Sequence, residues 1–441
     1  MKWSDHYCLE SMTSTPWGTA DELRARRLSP GPGATPREVA RNQRERLFGA
    51  MVLAIDEHGY EATRVADLLE LSRVSRSAFY EHFESKLDCF VATVDALAEI
   101  AAERIAAAYG GQGAWDVRLR AAGDAFVELM LDQPAAARLC VVEIYVAGPQ
   151  AMERLDAAVE IVDRAVARAF EQSPEHERMP VDIVHALVGG VRKAVHTRLR
   201  RGDERELAEV VPELLDWALG YRTPPQPLKR PRRRPQRGAA PAPDPDDTRA
   251  RLTRGVIATV AKRGYLAATI AEMANLAGAS LTTFYKHFPY GKEEAFLAAI
   301  DSTREQVVAA TLPAYEEATD PPHGIRDGID ALFGFIAAEP ELAEVGFVEA
   351  YAANPRALAR GERGIEELTA LLGQRCEHDG GSAVATEAIG GAIHTLLHTE
   401  IRRRRVERMR ELTPTATYVA LAPFVGPSTA VAIANVSVVA R

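Results

Sequence analysis

The chain has few cysteines, few aromatic residues and no long apolar runs. Its 441 residues include four cysteines and 7% aromatic side chains. The cysteines lie far apart and form no CxxC pair, which predicts free thiols in a reducing compartment rather than a disulfide framework. No run reaches the roughly 18 apolar residues of a membrane helix, and the first ten residues hold no apolar core of a secretory signal. We therefore expect a cytoplasmic protein.

Enzyme motifs are missing as well. The sequence contains no GxxxxGK[ST], GxGxxG, GxSxG or HExxH pattern, so we expect neither an enzyme nor a bound cofactor. His394 and His398 stand four residues apart on one predicted helix, and we interpret them as helix-interface residues rather than metal ligands. Phe347 and Tyr351 are interpreted as core aromatic residues, with a ligand pocket as the alternative.

Two segments of the chain repeat each other. Residues 59–83 read GYEATRVADLLELSRVSRSAFYEHF, and residues 264–288 read GYLAATIAEMANLAGASLTTFYKHF. At a constant offset of 205 they share ten identities in 25 positions without a gap. The sequence therefore predicts two homologous units of about 200 residues each, because self-similarity of this kind marks duplicated structural units.

A proline-rich segment separates the two units. Residues 223–247 contain eight prolines and six Lys or Arg, and because proline fixes φ and removes a hydrogen-bond donor, we predict an extended linker. Residues 1–35 lack helical periodicity and contain SPGPGATP, which predicts a disordered N-terminal arm. The remaining predicted domains are 36–93 and 94–222 before the linker, and 248–300 and 301–441 after it.

Each repeat has the pattern of a helix-turn-helix. In the first copy a helix is expected to end at Gly59, and a short second helix to begin at Thr63 or Arg64. After a tight turn at residues 72–74, Ser75 is expected to cap a third helix. This arrangement places the N-terminal residues of that third helix near base edges in the major groove of DNA. Since strand signals are scarce, the predicted fold class is all-α.

Both repeats resemble the DNA-binding domain of the TetR family of bacterial transcriptional regulators. The family pattern is GY-x-A-T-T-V-x-D-I-A-x-x-A-G-V-S, followed by FY-x-HF and a lysine. The first copy has GYEATRVADLLELSRVS, FYEHF and Lys86, and the second has GYLAATIAEMANLAGAS, FYKHF and Lys292. The resemblance implies two TetR-like units, each a DNA-binding head followed by a helical effector and dimerisation domain. It also implies a transcriptional repressor that binds a double-stranded DNA operator and is released by a small-molecule ligand.

The positions that match the family motif give a set of candidate DNA-contacting residues. Side chains at the start of the recognition helix are placed to meet base edges, while tyrosine, histidine and lysine suit phosphate oxygens. The candidates in the first repeat are Thr63, Arg64, Ser75, Arg76, Ser77, Tyr80, His82 and Lys86. The candidates in the second repeat are Thr269, Ser280, Leu281, Thr282, Thr283, Tyr285, His287 and Lys292.

The two copies depart from the family pattern in different ways. Arg64 and Arg73 stand in the first copy where a threonine and the turn glycine are usual. The second copy keeps Gly278 but has Leu281 where the first has Arg76. Since the first residue of the recognition helix differs, the two heads are expected to read different bases.

Charge is distributed unevenly within a chain of net charge −9. Residues 248–300 carry a net charge of +4 and residues 36–93 a net charge of −2, so the first head is expected to attract phosphate less strongly. This favours an alternative function, a ligand-binding or protein-interaction module in which the first head no longer binds DNA.

The sequence alone is compatible with two ways of pairing the effector domains. The segments around residues 186–195 and 388–393 are rich in small apolar residues. They could pair within one chain, which would give a pseudo-dimer with two unlike heads. Alternatively, each unit could pair with its equivalent in a second chain, which would give a homodimer with four heads.

Overall fold

The described part of the chain is helical. A computed structural model describes residues 13–28, 34–230, 247–376 and 382–436 and, at residues 368 and 371–376, the backbone alone. Within these ranges the regular elements are helices, and an isolated β bridge joins Thr15 and Gly18. The all-α fold class predicted from the sequence is confirmed.

Long helices alternate with short ones in both halves of the chain. The helices of the first half are α1 (Ala20–Ala25), α2 (Pro36–Ala62), α3 (Val65–Ser72), α4 (Arg76–His82), α5 (Lys86–Tyr109), α6 (Trp115–Asp132), α7 (Pro134–Val141), α8 (Pro149–Phe170), α9 (Val181–Arg201) and α10 (Leu207–Leu219). Those of the second half are α11 (Thr248–Arg263), α12 (Ile270–Leu276), α13 (Leu281–His287), α14 (Lys292–Glu316), α15 (Pro321–Ala338), α16 (Pro340–Glu344), α17 (Ala350–Ala352), α18 (Pro355–Cys376), α19 (Ala383–Arg402), α20 (Thr413–Val425) and α21 (Pro427–Ala434). Short 3₁₀ segments cover Glu143–Tyr145, Glu204–Glu206 and Val406–Leu412, and a π-helical turn covers Val345–Glu349.

The chain divides into two compact units. The first contains residues up to 111 together with 121–158 and 198–208, and the second contains 112–120, 159–197 and residues from 209 onward. The core of the first unit draws apolar side chains from α2, α4, α5 and α7, which include the fully buried Leu47, Met51, Phe79, Phe90 and Leu139. In the second unit the largest fully buried side chains include Phe284, Phe288, Phe296, Phe333 and Tyr418.

Residues 13–28 are folded, which corrects the prediction of a disordered arm for that stretch. Thr19 and Glu22 form a capping box at the start of α1, and Leu23 is completely buried. The Trp17 ring packs against Phe48 of α2 at a centroid distance of 5.3 Å. A capped helical turn with two apolar anchors is stable where an uncapped polar segment would not be. The rest of the predicted arm up to Gly33, residues 1–12 and 29–33, lies outside the described residues.

The beginning of the predicted linker is also held in place, within the second unit. The backbone N–H of Thr223 donates to the carbonyl of Glu175 at 2.8 Å. The backbone N–H of Lys229 donates to Oδ1 of Asn435 at 2.7 Å, and the amide of Asn435 donates to the carbonyl of Pro227 at 3.1 Å. Residues 223–230 are therefore part of a folded unit rather than of an extended linker. Residues 231–246 lie outside the described residues.

Helices α9 and α19 approach closely at glycines within the second unit. A Cβ atom placed on Gly190 would lie 2.5 Å from the carbonyl oxygen of Ala388. One placed on Gly391 would lie 2.7 Å from Cβ of Lys193. Both positions follow directly on another glycine in the sequence, and since glycine has no side chain, the two helix backbones can pack this closely.

Two tyrosines cross between the same chain segments. The hydroxyl of Tyr221 donates to the carbonyl of Val419, and the hydroxyl of Tyr418 donates to the carbonyl of Arg222, each at 2.6 Å. Each tyrosine thus donates to the residue that follows the other, which is the reciprocal pattern of a two-fold interface. Burial raises the pKa of Tyr418 to about 12, so its hydroxyl stays protonated and remains a donor.

Candidate nucleic-acid interface

The first helix-turn-helix is formed by α3 and α4 and is fixed by local hydrogen bonds. The hydroxyl of Ser72 donates to the carbonyl of Leu68 at 2.6 Å and accepts the backbone N–H of Val74 at 3.2 Å. Ser75 caps α4 by accepting the backbone N–H of Ala78 at 3.2 Å, as the sequence predicts. These bonds satisfy backbone groups that the short helices leave open.

A buried arginine that the sequence analysis missed also fixes this turn. Arg46 of α2 is 3% exposed and donates to the carbonyl of Ser72 at 2.9 Å. Burial lowers its pKa, but a guanidinium remains charged at any physiological pH. The long first helix therefore holds the turn as well as packing against it. Its counterpart Arg251, at the same offset of 205 residues, is the sequence signal that could have drawn attention to it.

The second helix-turn-helix is formed by α12 and α13, and its recognition helix has a serine cap like that of the first. Thr269 and Glu272 form a capping box at the start of α12. Ser280 caps α13 by accepting the backbone N–H of Thr283 at 3.1 Å. Gly255 of α11 lets α12 approach closely, because a Cβ there would overlap the carbonyl oxygen of Met273.

The turn between the two short helices has a left-handed residue in both copies. Arg73 has φ 52° and Gly278 has φ 62°. Glycine adopts this conformation without steric cost, whereas a residue with a Cβ atom is strained there by about 1–2 kcal/mol. The first turn thus keeps the family geometry at a cost in free energy of folding.

We expect the replacement Arg73→Gly to stabilise the protein by about 1 kcal/mol, because it relieves this strain. The reverse change, Gly278→Arg, should destabilise the protein by a similar amount. Open space surrounds the Cβ position, so the strained φ would be the source of the lost stability. Thermal and urea denaturation of the full chain measure both. Arg73→Ala is the control: it removes the side chain but keeps the strain, so a stabilisation as large as that of Arg73→Gly would contradict the explanation.

Helix α4 presents three of the candidate DNA-contacting residues to solvent. Arg76, Ser77 and Tyr80 are exposed, Tyr80 by 48%. The Arg76 guanidinium lies 5.6 Å from the centre of the Tyr80 ring, and the Ser77 hydroxyl lies 3.3 Å from Oε1 of Glu81. The strip therefore combines a cation, a hydroxyl and a phenol on one helix.

Helix α13 presents a more apolar strip. Leu281 and Tyr285 are 50% and 49% exposed, and Thr282 is exposed as well. Thr283 is half-buried and its hydroxyl lies 2.9 Å from that of Ser280. A leucine and two threonines at the start of a recognition helix offer methyl groups, which suit the methyl group of thymine rather than the acceptors of guanine.

The candidate DNA-contacting residues at the start of α3 differ in exposure. Arg64 is largely exposed at the start of α3 and pairs with Asp67 at 2.8 Å. Thr63 is 2% exposed, and its hydroxyl donates to the carbonyl of Gly59 at 2.8 Å. The side chain of Thr63 therefore faces the interior. Thr269, the counterpart of Arg64 at the offset of 205, is exposed, and its hydroxyl donates to Oε2 of Glu272 at 2.9 Å.

Both candidate lysines reach back to backbone carbonyls. Nζ of Lys86 donates to the carbonyls of Tyr60 and Thr63 at 2.7 and 2.9 Å, and Nζ of Lys292 donates to that of Leu266 at 3.1 Å. Burial lowers the pKa of both lysines. These side chains tie the end of the first helix of each head to the start of its fourth.

The two candidate histidines lie at the ends of α4 and α13. Nε2 of His82 lies 2.8 Å from Oε1 of Gln43, and His287 is half-buried. Burial, followed by the charge of Arg44, lowers the pKa of His82. This favours the neutral ring, whose single N–H donates to Oε1 of Gln43, so His82 brings no positive charge to a phosphate contact.

The described residues show neither a membrane-spanning helix nor a candidate metal site. None of their helices is long and apolar enough to cross a bilayer. They also hold no group of three or more His, Cys, Asp or Glu side chains that could bind a metal ion.

Comparison with known proteins agrees with the geometry of the first head. Residues 52–93 match the family model described as bacterial regulatory proteins, tetR family. The chain is 28% identical over 136 residues to the HTH-type transcriptional activator FasR of Mycolicibacterium smegmatis, a match that covers 31% of this chain and 62% of FasR, less than two thirds of its length. It is 27% identical over 194 residues to the HTH-type transcriptional repressor AcnR of Corynebacterium diphtheriae, covering 41% of this chain and 93% of AcnR.

Two solved structures align with parts of this chain, both at TM-scores below 0.5. The regulator FadR from Bacillus subtilis, solved with stearoyl-CoA, aligns with a TM-score of 0.36 and 17% identity over 40% of this chain and 97% of FadR. The TetR-family regulator PfmR from Thermus thermophilus aligns with a TM-score of 0.33 and 22% identity over 39% of this chain and 95% of PfmR. The family match at residues 52–93 and the two sequence relatives indicate a resemblance to TetR-family transcriptional regulators. By name, one relative is a transcriptional activator and the other a transcriptional repressor, both of the HTH type.

Proposed function

We propose that this chain is a sequence-specific DNA-binding regulator with two unlike heads in one polypeptide, at residues 36–93 and 248–300. The observation that carries the proposal is the second helix-turn-helix, whose serine cap and left-handed turn residue repeat those of the first. The exposed strips of α4 and α13 face solvent with different chemistry. We infer that each head reads one half-site and that the two half-sites differ.

We propose further that the two effector domains, 94–222 and 301–441, pair within the chain. Three features support this: the close approach of α9 and α19, the reciprocal tyrosine bonds, and an ion pair of 2.7 Å between Lys193 and Glu362, which is 3% exposed. A buried ion pair of this kind favours one register over others. One chain would then present two heads, as a homodimer of single-headed chains does.

A small apolar molecule is proposed as the effector that releases the regulator from DNA. The supporting observation is an apolar cavity in the second unit, lined by side chains that include Leu312, Ile325, Ile329, Leu332, Phe347 and Leu397. His394 also lines the cavity; it is 9% exposed, and its Nε2 has no hydrogen-bond partner among the described residues. Burial, followed by neighbouring positive charges, lowers its pKa far below the usual value, so a neutral imidazole would bind one polar group of the ligand.

The test of the two-headed proposal is selection of bound sites from random duplex DNA by the purified full chain, at a stated salt concentration. We expect two unlike half-sites at a fixed spacing, bound by a particle of 48.1 kDa in sedimentation. A perfect palindrome, or twice that mass, would contradict pairing within the chain. Reduced expression of a reporter behind the selected site would support repression, and increased expression would contradict it.

A second candidate function keeps DNA binding in the second head alone. The net charge of −2 in residues 36–93 and the internal hydrogen bonds of Lys86 favour it. Under that alternative one half-site alone is enriched, and replacement of Arg76 leaves DNA affinity unchanged.

A further inference from the structure

One contact between a DNA-binding head and its effector domain, here called the body, occurs twice in the chain, once in each unit. In the first unit the backbone N–H of Tyr60 donates to Oε2 of Glu143 at 2.8 Å. In the second, the backbone N–H of Tyr265 donates to Oε2 of Glu349 at 2.6 Å. The tyrosines are separated by 205 residues and the glutamates by 206, so the contact joins equivalent positions. We call each of these contacts a head joint.

The local backbone makes each joint possible. Tyr60 and Tyr265 each follow a glycine of positive φ, 75° at Gly59 and 77° at Gly264, at the end of the long first helix of the head. This turn ends the helix and directs the next N–H away from the helical ladder. A carboxylate is a strong acceptor for that donor, because the hydrogen bond is charge-assisted.

The tyrosine rings at the joints are held as well. The Tyr60 ring packs on Phe90 at 4.9 Å, and the Tyr265 ring packs on Phe296 at 4.6 Å. The amino groups of Lys86 and Lys292 lie 4.1 and 4.5 Å from the two ring centres. On the side of the head, each joint therefore has the same three side chains: a tyrosine, a phenylalanine and a lysine. The glutamate supplies a hydrogen bond from the body, and in the first unit Arg138 of the body also pairs with Asp56 of the head.

Both glutamates carry an electrostatic cost. Burial raises the pKa of Glu143 and that of Glu349, and the hydrogen bond from the tyrosine N–H partly offsets the shift. Burial, followed by repulsion from Glu349, also raises the pKa of the nearby Glu344 to about 7. A carboxyl group in such a position destabilises the fold unless it has a specific partner. Both glutamates have such a partner in the tyrosine N–H, so loss of that hydrogen bond would leave a buried carboxyl group without it.

The second joint is connected to the apolar cavity through a single turn of helix. Glu349 is the last residue of the π-helical turn Val345–Glu349, and Phe347 of the same turn lines the cavity. π-Helical turns are rare and often lie at functional sites. A ligand that displaces Phe347 would move the turn, and with it the carboxylate that holds Tyr265.

We propose that Glu349 is a positioning residue that couples the cavity of the second body to the second head, and that Glu143 holds the first head in the same way. The coupling to DNA binding rests on the proposed function, whereas the joint itself does not. In the first unit the equivalent segment is the 3₁₀ turn Glu143–Tyr145. The π-helical turn thus distinguishes the second joint as the one that responds to the cavity.

Hydrogen exchange of the full chain, resolved to the amides of Tyr60 and Tyr265, tests the joint without DNA. We expect Glu349→Ala to accelerate exchange at Tyr265 by about tenfold or more and to leave Tyr60 unchanged, because a charge-assisted bond is lost at one joint only. Glu143→Ala should do the reverse. Glu349→Gln keeps a carbonyl oxygen as acceptor, so exchange at Tyr265 should stay near the wild-type rate. Unchanged exchange in Glu349→Ala, or equal acceleration at both tyrosines, would overturn the proposal.

Two further measurements test the coupling. Phe347→Ala should accelerate exchange at Tyr265 although it leaves the carboxylate in place, and unchanged exchange would show that cavity and joint are independent. Glu349→Ala should weaken binding to the selected operator by about tenfold, with Glu349→Gln near the wild-type affinity. Faster exchange with unchanged affinity for a confirmed operator would overturn the positioning role. If no operator is selected at all, the proposed function fails while the exchange result still decides the joint.

Discussion

Exchanging Arg76 and Leu281 between the two heads is expected to exchange their base preferences. Both residues are exposed at the first position of their recognition helices. Arginine binds the O6 and N7 acceptors of guanine with two hydrogen bonds, whereas leucine contacts the methyl group of thymine. We therefore expect guanine at one position of the first half-site and thymine at the equivalent position of the second.

The double variant Arg76→Leu, Leu281→Arg should bind an operator with these two bases exchanged. A matched bidentate contact is worth about 1–3 kcal/mol, so Arg76→Leu alone should weaken binding to the original operator roughly tenfold or more. Competition binding with the two operators measures both effects. Arg178→Leu removes an equally positive, exposed side chain outside the heads and is the control. Equal weakening by Arg178→Leu would mean that charge, rather than base recognition, explains the effect.

Gly190→Ala is expected to destabilise the second unit strongly. The new Cβ would lie 2.5 Å from the carbonyl oxygen of Ala388, and a backbone oxygen cannot move aside as a flexible side chain can. Overpacking of this kind costs about 1–3 kcal/mol, and the apparent melting temperature should fall by roughly 5–10 °C. If α9 and α19 pair the two bodies, DNA affinity for the two-half-site operator should fall as well.

A matched substitution, Gly364→Ala, is expected to have the opposite effect on the melting temperature. Gly364 lies in α18, where a new Cβ would make only an ordinary contact of 3.7 Å with Cγ of Arg304. Alanine is favoured over glycine inside a helix by about 0.5–1 kcal/mol, so Gly364→Ala should raise the melting temperature slightly. Calorimetry of both variants measures these changes. A melting temperature of Gly190→Ala at or above that of the wild type would contradict the close approach of α9 and α19.

The sequence predicted features that depend on nearby residues. The cap at Ser75 and the break in the first helix at Gly59 follow from residues within one turn of helix, and the structure has both, with Ser280 and Gly264 repeating them in the second copy. The α1 helix was predicted as disorder, although its capping box at Thr19 was visible in the sequence. A capping box alone does not show that Leu23 has a surface to pack against.

Features that depend on distant residues were not predicted. A lysine at the start of a helix resembles a phosphate ligand in sequence, but Lys86 binds carbonyls 23 and 26 residues earlier. Glu143 and Glu349 escaped notice because they act on tyrosines 83 and 84 residues away. A signal was present: the tetrapeptides VEIY and VEAY end at Tyr145 and Tyr351, a second repeat at nearly the same offset as the first.

The reciprocal bonds of Tyr221 and Tyr418 have a consequence for how the protein works when it is scarce. They join parts of one polypeptide, so a regulator paired within the chain, as proposed, would have no subunits to lose on dilution. Operator occupancy would then rise with the first power of protein concentration, whereas that of a dissociating homodimer would follow the second power. In a cell that inherits only a few copies of the protein at division, every copy would still be able to bind the operator with both heads.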